Sequence, residues 1–357
     1  MRAAWLEIDL AALRHNIALL RQCIGRAQLM AVVKGNAYGH GDHLIAPAAL
    51  SSGARLLGVA TTSEGVRLRT VGITAPIVLL DHTEPSEAEE IIFYQLEPTV
   101  FHLASARALA KSALAQGRTA LVHVKLDSGL HRQGVAPQAF PAFLAALAQL
   151  PNLAIGSVFS HFSCADTDHS CTLVQLSCFQ EATAQLPYRR HLANSAATLS
   201  WPQSHFDLVR CGLALYGLYP SALIPRIGLR PVLSLRARVI RRITVLPGET
   251  VGYGCGFRAL ERTTILLIPL GYADGIPRQW GLGRARALVR GQRLPVVGRV
   301  CMDLLFLAGE GDVGDQVTLI GQQQGDVLSA DEAAAAQETI NYEVTTQLRR
   351  LPYCAKE

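Results

Sequence analysis

Apolar runs of strand length alternate with helix-length stretches over the first two thirds of the chain. The runs lie at residues 29–33, 56–60, 77–80, 98–101, 121–126, 155–159, 191–194 and 208–211. Their continuous apolar character is typical of parallel strands that are buried on both faces. Eight strand-then-helix units over about 200 residues predict a (β/α)8 TIM-type barrel. A doubly wound open sheet is the competing architecture.

The pattern changes after residue 230. Short segments rich in β-branched residues, separated by Gly, Pro and Asp, lie at residues 233–246, 263–270, 287–290, 295–300 and 316–320. Such segments are typical of a mostly β domain, and a helical pattern covers residues 329–340. The sequence therefore predicts two domains, a barrel at residues 1–230 and a β-rich C-terminal domain at residues 231–357.

Composition and charge exclude several classes of function. Half of the 357 residues are hydrophobic and 17% are charged, and the net charge of +5 comes from scattered arginines. A nucleic-acid-binding protein would cluster its basic residues on one face, and no apolar run has the length of a membrane span. The segment 1–9 carries acids where a secretory signal would be apolar. We expect a cytoplasmic protein whose eight cysteines are reduced.

A metal site is not expected, although several residues of suitable type lie close together along the chain. Their spacing matches neither a C-x-x-C pair nor an H-E-x-x-H motif; the residues are His161, Cys164, Asp166, Asp168, His169 and Cys171. The use of the three cysteines spaced by seven (Cys164, Cys171 and Cys178) stays open. The Gly-rich segment 252–256 opens no predicted helix, so it does not indicate a dinucleotide site.

Polar residues at the carboxyl ends of the eight runs are the candidates for chemistry, because barrel enzymes keep their active sites there. Only four of the 33 lysine and arginine residues are lysine, and Lys34 directly follows the first run. An amine can form a Schiff base, which a guanidinium cannot. The loops after the seventh and eighth runs offer small residues and a hydroxyl to an anion. The candidates are Lys34, Lys125, Asp127, Arg132, His161, Asn194, Ser195 and Arg210.

With these residues in view, the chain resembles the alanine racemase family of barrel-fold pyridoxal-phosphate enzymes. The resemblance spans essentially the whole chain. The matching motifs lie at residues 33–41 (the cofactor lysine), 125–132 (strand 5), 160–162 (strand 6), 210–217 (the pyridine nitrogen), 251–254 (the second base), 298–303 (the substrate carboxylate) and 340–344 (the phosphate tyrosine).

The resemblance implies a role for each matching residue. Lys34 would attach pyridoxal 5'-phosphate and act as one base, and Tyr253 of the partner subunit would be the other base. Arg210 would face the pyridine nitrogen, with His161 linking Arg210 to Tyr253. Arg132 would bind the phenolic oxygen of the cofactor and the substrate carboxylate, and Lys125 matches a lysine that is carbamylated in some members. The other implied residues are Tyr38, Asn194, Ser195, Gly212 and Tyr342 for cofactor binding, the Met302 backbone for the substrate, and Asp303 in support.

The resemblance also implies a homodimer that supplies D-alanine for peptidoglycan. Tyr342 favours alanine over serine, because serine-preferring relatives carry a smaller polar residue at that position. Gly35 departs from the alanine that many members have there. The alternatives are a serine or broad-specificity racemase, a barrel-type amino-acid decarboxylase, and a non-catalytic pyridoxal-phosphate carrier. Carriers of this fold usually lack the β domain and the second base, and the chain has candidates for both.

Overall fold

The computed structural model describes residues 2–357. These residues form two compact units. The barrel unit contains residues 13–37 and 42–230, and the β unit contains residues 2–12, 38–41 and 231–357.

The strands, in chain order, are β1 (Ala4–Asp9), β2 (Gln28–Val32), β3 (Leu56–Val59), β4 (Ile77–Leu79), β5 (Glu97–Val100), β6 (Ala120–Lys125), β7 (Leu153–Phe159), β8 (Arg189–His191), β9 (Leu208–Cys211), β10 (Leu233–Arg238), β11 (Arg241–Val245), β12 (Thr250–Val251), β13 (Phe257–Arg258), β14 (Thr263–Ile268), β15 (Arg286–Val289), β16 (Gln292–Val297), β17 (Leu305–Ala308), β18 (Gln316–Gln323), β19 (Asp326–Leu328) and β20 (Tyr353–Lys356). The helices are α1 (Leu10–Ile24), the single turn α2 (Lys34–Tyr38), α3 (Asp42–Ser51), α4 (Thr62–Thr70), α5 (Ala88–Phe93), α6 (Leu103–Ala115), α7 (Phe140–Ala148), α8 (His169–Thr183), α9 (Ser195–Ser200), α10 (Ala330–Ala335) and α11 (Asn341–Gln347). Within residues 2–357, every helix is too short or too polar to cross a bilayer.

The eight strands β2–β9 form the predicted barrel, each within or overlapping one of the apolar runs. Their order is β8-β7-β6-β5-β4-β3-β2-β9, and each neighbouring pair is parallel. Backbone hydrogen bonds connect the two ends of this order, since Arg210 N donates to Ala193 O at 3.0 Å and Asp207 N donates to Arg190 O at 3.1 Å. The barrel is therefore nearly closed, which confirms the predicted fold class and excludes the open sheet.

The barrel interior has an apolar and a polar side. The strands β9, β2, β3 and β4 contribute one apolar cluster of Met30, Leu56, Val78 and Leu208. The strands β6, β7 and β8 instead bury polar side chains, among them those of His123, Ser157 and His191. Buried polar groups need hydrogen-bond partners, so this side of the barrel must contain a connected polar network.

The β unit is built on a sheet of ten strands among the described residues. Nine of them follow the order β11-β14-β17-β16-β15-β18-β10-β1-β20, and β19 pairs with β18. The strands β12 and β13 form a separate antiparallel ribbon. An apolar cluster of Val245, Val251, Ala259, Ile265 and Val297 packs beside this ribbon.

The expected assignment of residues 1–230 to the barrel needs a correction at its start. The strand β1 belongs to the β unit, where it pairs with β10 in antiparallel and with β20 in parallel orientation. Its buried positions alternate with partly exposed ones, which is the pattern of a strand with one buried face. The segment 38–41 also belongs to the β unit.

The helical pattern at residues 329–340 contains one helix, α10, which ends at Ala335, and α11 begins only at Asn341, after the pattern. The break between them lies at Glu338, whose φ of 59° is left-handed and therefore incompatible with a continuous right-handed helix. Backbone hydrogen bonds from Gln337 N and Thr339 N to Ala334 O close the end of α10.

Candidate active site

The turn α2 directly after β2 has an unusual backbone. Lys34 is its first residue, and the next four residues have φ values between 53° and 61°. Left-handed geometry costs about 1–2 kcal/mol for each residue other than glycine, so neighbouring groups must hold the turn. Ala37 N donates to Val33 O at 2.8 Å, and Gly35 N donates to Glu64 Oε1 at 2.7 Å. Strained backbone that is held in this way is concentrated at functional sites.

Lys125 lies at the end of β6 among other cations. It is buried, its Nζ donates to Gln133 Oε1 at 2.8 Å, and the same Nζ lies 5.5 Å from the ring centre of Phe159. The pKa of the Lys125 amine is lowered to about 8, mainly by burial and also by the positive charges of Arg132 and Arg210. A substantial fraction of this amine is therefore neutral near physiological pH.

The same cations act on His161, which follows β7. Burial lowers the pKa of His161 well below its ordinary value, and the charges of Arg210, Arg132, Lys125 and Lys34 add to this effect. The imidazole is neutral, and the carboxyl ends of the barrel strands form a positively charged site. Such a site suits a ligand that carries phosphate and carboxylate groups.

Arg210, on β9, is the most deeply held of these cations. Its guanidinium donates to His191 Nδ1 at 2.8 Å and to His161 Nδ1 at 3.2 Å. It also donates to three backbone carbonyls, those of Ser160, His191 and Leu192. Burial lowers the pKa of Arg210 to about 9. The acceptors in these five contacts are all neutral, so the guanidinium is oriented by them without a contacting carboxylate.

Ser195 and Gly212 lie together after β8 and β9. The Ser195 Oγ accepts hydrogen bonds from Gly212 N at 3.1 Å and from Ala214 N at 3.2 Å. Because the oxygen accepts both bonds, the hydroxyl proton is left to donate to an anion. Asn194 is the N-cap of α9, and its side-chain oxygen accepts from Ala197 N at 3.0 Å. Asn194 therefore shapes this segment through its capping bond.

The β unit brings Tyr38 and Tyr342 together. Their ring centres are 6.1 Å apart, with an angle of 44° between the ring planes. Gly39, next to Tyr38, has no room for a side chain, because a Cβ atom there would lie 2.0 Å from Thr345 O. This close approach brings the segment 38–41 and α11 together within the β unit, so two phenols from distant parts of the sequence become neighbours.

Tyr253, Met302 and Asp303 also lie in the β unit. Tyr253 is 73% exposed on a short 3-10 turn (Tyr253–Cys255), and Met302 is 54% exposed. Asp303 accepts a hydrogen bond from Arg350 Nη2 at 3.1 Å. A tyrosine with this degree of exposure presents its phenol to the surroundings of the unit.

Two residues that support the site were missed from the sequence. Gln133 contacts the amine of Lys125, and His191 contacts the guanidinium of Arg210. His191 is the first residue of the seventh apolar run, and only Asn194 and Ser195 at the end of that run were candidates. The signal for Gln133 was weaker, since it follows Arg132 in a loop without periodicity.

Comparisons with known proteins cover nearly the full length of the chain. The profile "Alanine racemase, N-terminal domain" matches residues 8–220, and "Alanine racemase, C-terminal domain" matches residues 232–354. An alanine racemase of Desulfosudis oleivorans is 43% identical, across 99% of this chain and 97% of the relative. An alanine racemase of Desulfovibrio desulfuricans is 40% identical, across 98% and 97%.

Solved structures show the same similarity. The alanine racemase of Streptomyces lavendulae has a TM-score of 0.93 and 37% identity, covering 100% of this chain and 98% of that one. The alanine racemase of Bacillus anthracis, solved with bound L-Ala-P, has a TM-score of 0.94 and 35% identity, covering 100% and 96%.

Proposed function

Because the chain belongs to the alanine racemase family, we propose that this racemase interconverts L- and D-alanine with pyridoxal 5'-phosphate in a two-base reaction. The observation that carries the proposal is the arrangement around Lys34. The lysine begins a strained turn at the carboxyl ends of the barrel strands, in a site where Arg210 is held only by neutral acceptors.

The residues present fit the cofactor. The hydroxyl proton of Ser195 is directed away from two backbone donors, and the cations of the site match a phosphate and a phenolic oxygen. Tyr38, Tyr342, Ser195 and Gly212 would hold the phosphate, Asn194 would support cofactor binding beside Ser195, and Arg132 would bind the phenolic oxygen. When bound, pyridoxal phosphate supplies the electron sink for the α-carbanion of the amino acid.

Arg210 would lie against the pyridine nitrogen. A guanidinium only donates hydrogen bonds and stays charged, whereas a carboxylate would stabilise a protonated ring nitrogen. The neutral His161 accepts a hydrogen bond from Arg210 and would link this guanidinium to the Tyr253 phenol. With Arg210 beside it, the pyridine nitrogen would stay largely unprotonated and would withdraw less electron density from the α-carbanion. This disfavours side reactions such as transamination.

Racemisation requires a proton to leave one face of the α-carbon and another to arrive on the opposite face. The Lys34 amine would serve one face and the Tyr253 phenol the other. A tyrosine has an ordinary pKa of about 10, and nearby positive charge favours its deprotonated form. Arg132 and the Met302 N–H would bind the substrate carboxylate and so orient the α-proton between the two bases.

We further propose that Tyr253 completes the site of a partner subunit in a homodimer. Tyr253 is highly exposed, and other large apolar side chains on nearby loops of the β unit are exposed as well, among them Leu282 and Met302. Exposed apolar groups of this kind mark association surfaces. A cytoplasmic location and a role in supplying D-alanine for peptidoglycan are proposed from the family alone.

The test is a chiral assay of alanine with the purified protein and added pyridoxal phosphate. Replacing Tyr253 by Phe should lower interconversion about 10²–10⁴-fold, since a positioned base contributes that much. The loss should be equal in both directions, because the two enantiomers have equal free energy. Exchange of the α-hydrogen with deuterated solvent should persist for one enantiomer, through Lys34.

The controls separate this function from its alternatives. Lys34→Ala should lose both interconversion and covalent attachment of the cofactor. Tyr188→Phe, which changes a partly exposed tyrosine directly before β8, should retain wild-type activity. Release of CO₂ would instead indicate a decarboxylase. Faster turnover of serine than of alanine would indicate a different substrate, and undiminished activity of Tyr253→Phe would contradict the two-base assignment.

A further inference from the structure

Four side chains form a continuous hydrogen-bonded chain through the polar side of the barrel, below Arg210. His191 Nε2 lies 2.8 Å from Ser157 Oγ, which lies 2.6 Å from His123 Nδ1. His123 Nε2 lies 2.9 Å from Glu97 Oε2. These residues come from the consecutive strands β8, β7, β6 and β5, and we call them the barrel relay.

With both imidazoles neutral, the donor-only guanidinium of Arg210 sets the direction of every bond in the barrel relay. A guanidinium only donates, so His191 Nδ1 accepts and the proton of this neutral ring is on Nε2. That proton is donated to Ser157, whose hydroxyl donates to His123 Nδ1. The remaining proton of His123 is then on Nε2, where it is donated to the carboxylate of Glu97.

The other end of the barrel relay reaches solvent. Glu97 is the first residue of β5, its side chain is partly exposed, and it lines an open cavity of about 460 Å³ at the amino ends of the strands. Arg69 and Arg118 line the same cavity. The middle of the relay is dry, because His123, Ser157 and His191 are buried. The carboxylate is therefore connected to Arg210 through buried dipoles that all point the same way.

We propose that Glu97, His123 and Ser157 are positioning residues for the racemase. They hold His191 in the tautomer that accepts from Arg210, and the carboxylate of Glu97 compensates the buried guanidinium through the aligned bonds. The proposal rests on the proposed function, in which Arg210 faces the pyridine nitrogen. Bonds that are aligned in one direction polarise one another and are stronger than isolated ones.

The first experiment observes the barrel relay itself, without cofactor. ¹⁵N NMR of histidine-labelled protein reports which ring nitrogen carries the proton, and spectra of His191→Gln and His123→Gln assign the signals. In the wild type, both rings should carry the proton on Nε2. Ser157→Val and Ser157→Thr are matched in size, and only Thr retains the hydroxyl. The valine variant should lose the single Nε2–H form of His191, and the threonine variant should keep it.

The second experiment measures kcat and KM for alanine with the cofactor-loaded protein. Ser157→Val should lower kcat about tenfold relative to Ser157→Thr, with KM changed by less than about twofold, as expected when a group acts on the transition state and not on substrate binding. Glu97→Gln keeps an acceptor but removes the charge, so it should retain the His123 tautomer and lower kcat about threefold or more. The exposed control Glu89→Gln should change neither quantity.

The two measurements distinguish failure of this inference from failure of the proposed function. If the wild type does not racemise alanine, the NMR arms still decide whether the barrel relay exists. The inference is overturned if His191 keeps its tautomer in Ser157→Val, or if kcat of Ser157→Val and Glu97→Gln stays within twofold of that of their controls.

Discussion

Lys125 is a buried amine surrounded by positive charge, an environment that changes its reactivity. Because the pKa of this amine is lowered to about 8, its neutral form rises from a minority at pH 7 to a majority at pH 9. Neutral amines react with CO₂ to form carbamates. The product would carry a negative charge among Arg132, Arg210 and Lys34, which act on Lys125 electrostatically.

We therefore predict that Lys125 becomes carbamylated in the presence of CO₂. A carbamate resonance should appear in the ¹³C NMR spectrum of protein incubated with ¹³C-bicarbonate, and it should grow as the pH rises from 7 to 9. The resonance should be absent in Lys125→Ala and present in Lys111→Ala, which changes an exposed lysine. A resonance that persists in Lys125→Ala would contradict the prediction.

The residues of the barrel site could be predicted from the sequence where they lie at the ends of strands. Lys34, His161 and Arg210 follow or end apolar runs, so the barrel geometry alone places them at one mouth. His123 could also have been predicted, since it lies two positions before Lys125 on β6 and therefore points to the same face. Glu97 and Ser157 were not, because their roles arise from contacts between strands that no single segment encodes.

The turn α2 stores backbone strain next to the proposed cofactor lysine, and the glycine within it and the glycine directly after it have different surroundings. Gly35 and Gly39 both have positive φ, but only Gly39 faces a backbone atom of α11. A Cβ at Gly35 would meet nothing within 4 Å. The two positions therefore separate the conformational requirement of the turn from the requirement for close packing.

We predict that Gly35→Ala lowers the free energy of unfolding by about 1–2 kcal/mol, the cost of left-handed geometry. Gly39→Ala should lower it by about 1–3 kcal/mol more, because the added methyl must displace the backbone of Thr345. Urea denaturation followed by circular dichroism measures both changes. Equal destabilisation by the two substitutions would show that contact with α11 is unimportant.

At the scale of elements, the buried strands were the most predictable part of the fold. The runs behind β2–β9 are apolar on both faces, so their pattern does not depend on knowing the partner strand. The strand β1 was missed although Ala4, Leu6 and Ile8 alternate with partly exposed residues. Six residues are a short sample, and the partners of β1 lie more than two hundred residues further along the chain.

The cysteines spaced by seven illustrate the same limit. Cys171 and Cys178 lie on α8, where a spacing of seven places side chains on one face. Cys164 precedes the helix, and the Oγ of Ser163 lies 3.2 Å from its sulfur and 3.5 Å from that of Cys171. The spacing thus corresponds to a helix face and the loop that folds back to it, which periodicity alone could not separate from a functional motif.

For the whole molecule, the proposed dimer makes a prediction that neither subunit alone could satisfy. If each active site takes Lys34 from one subunit and Tyr253 from the other, a hybrid of Lys34→Ala and Tyr253→Phe subunits contains one intact site. Mixing the two inactive variants in equal amounts, with reversible denaturation to exchange subunits, should restore about a quarter of wild-type activity, since half of the dimers are hybrids with one of two sites.

Two controls define the result. Each variant refolded by itself should remain inactive. The double variant mixed with wild type should show only the activity of the wild-type dimers in the mixture, because hybrids of these two subunits contain no intact site. If Lys34 and Tyr253 of the same subunit form the site, the mixture of single variants would stay inactive. Light scattering on the refolded mixture checks that dimers have formed.

The position of β1 in the ten-stranded sheet has a consequence for synthesis on the ribosome. The strand β1 leaves the exit tunnel before both of its partners and must wait for β10 and for β20. Contacts between such distant parts of a sequence form slowly. All eight barrel strands emerge in the meantime, so we expect the barrel to acquire structure while the opening strand is still unpaired. Completion of the sheet then becomes the late step, which can occur only after β20 has left the tunnel.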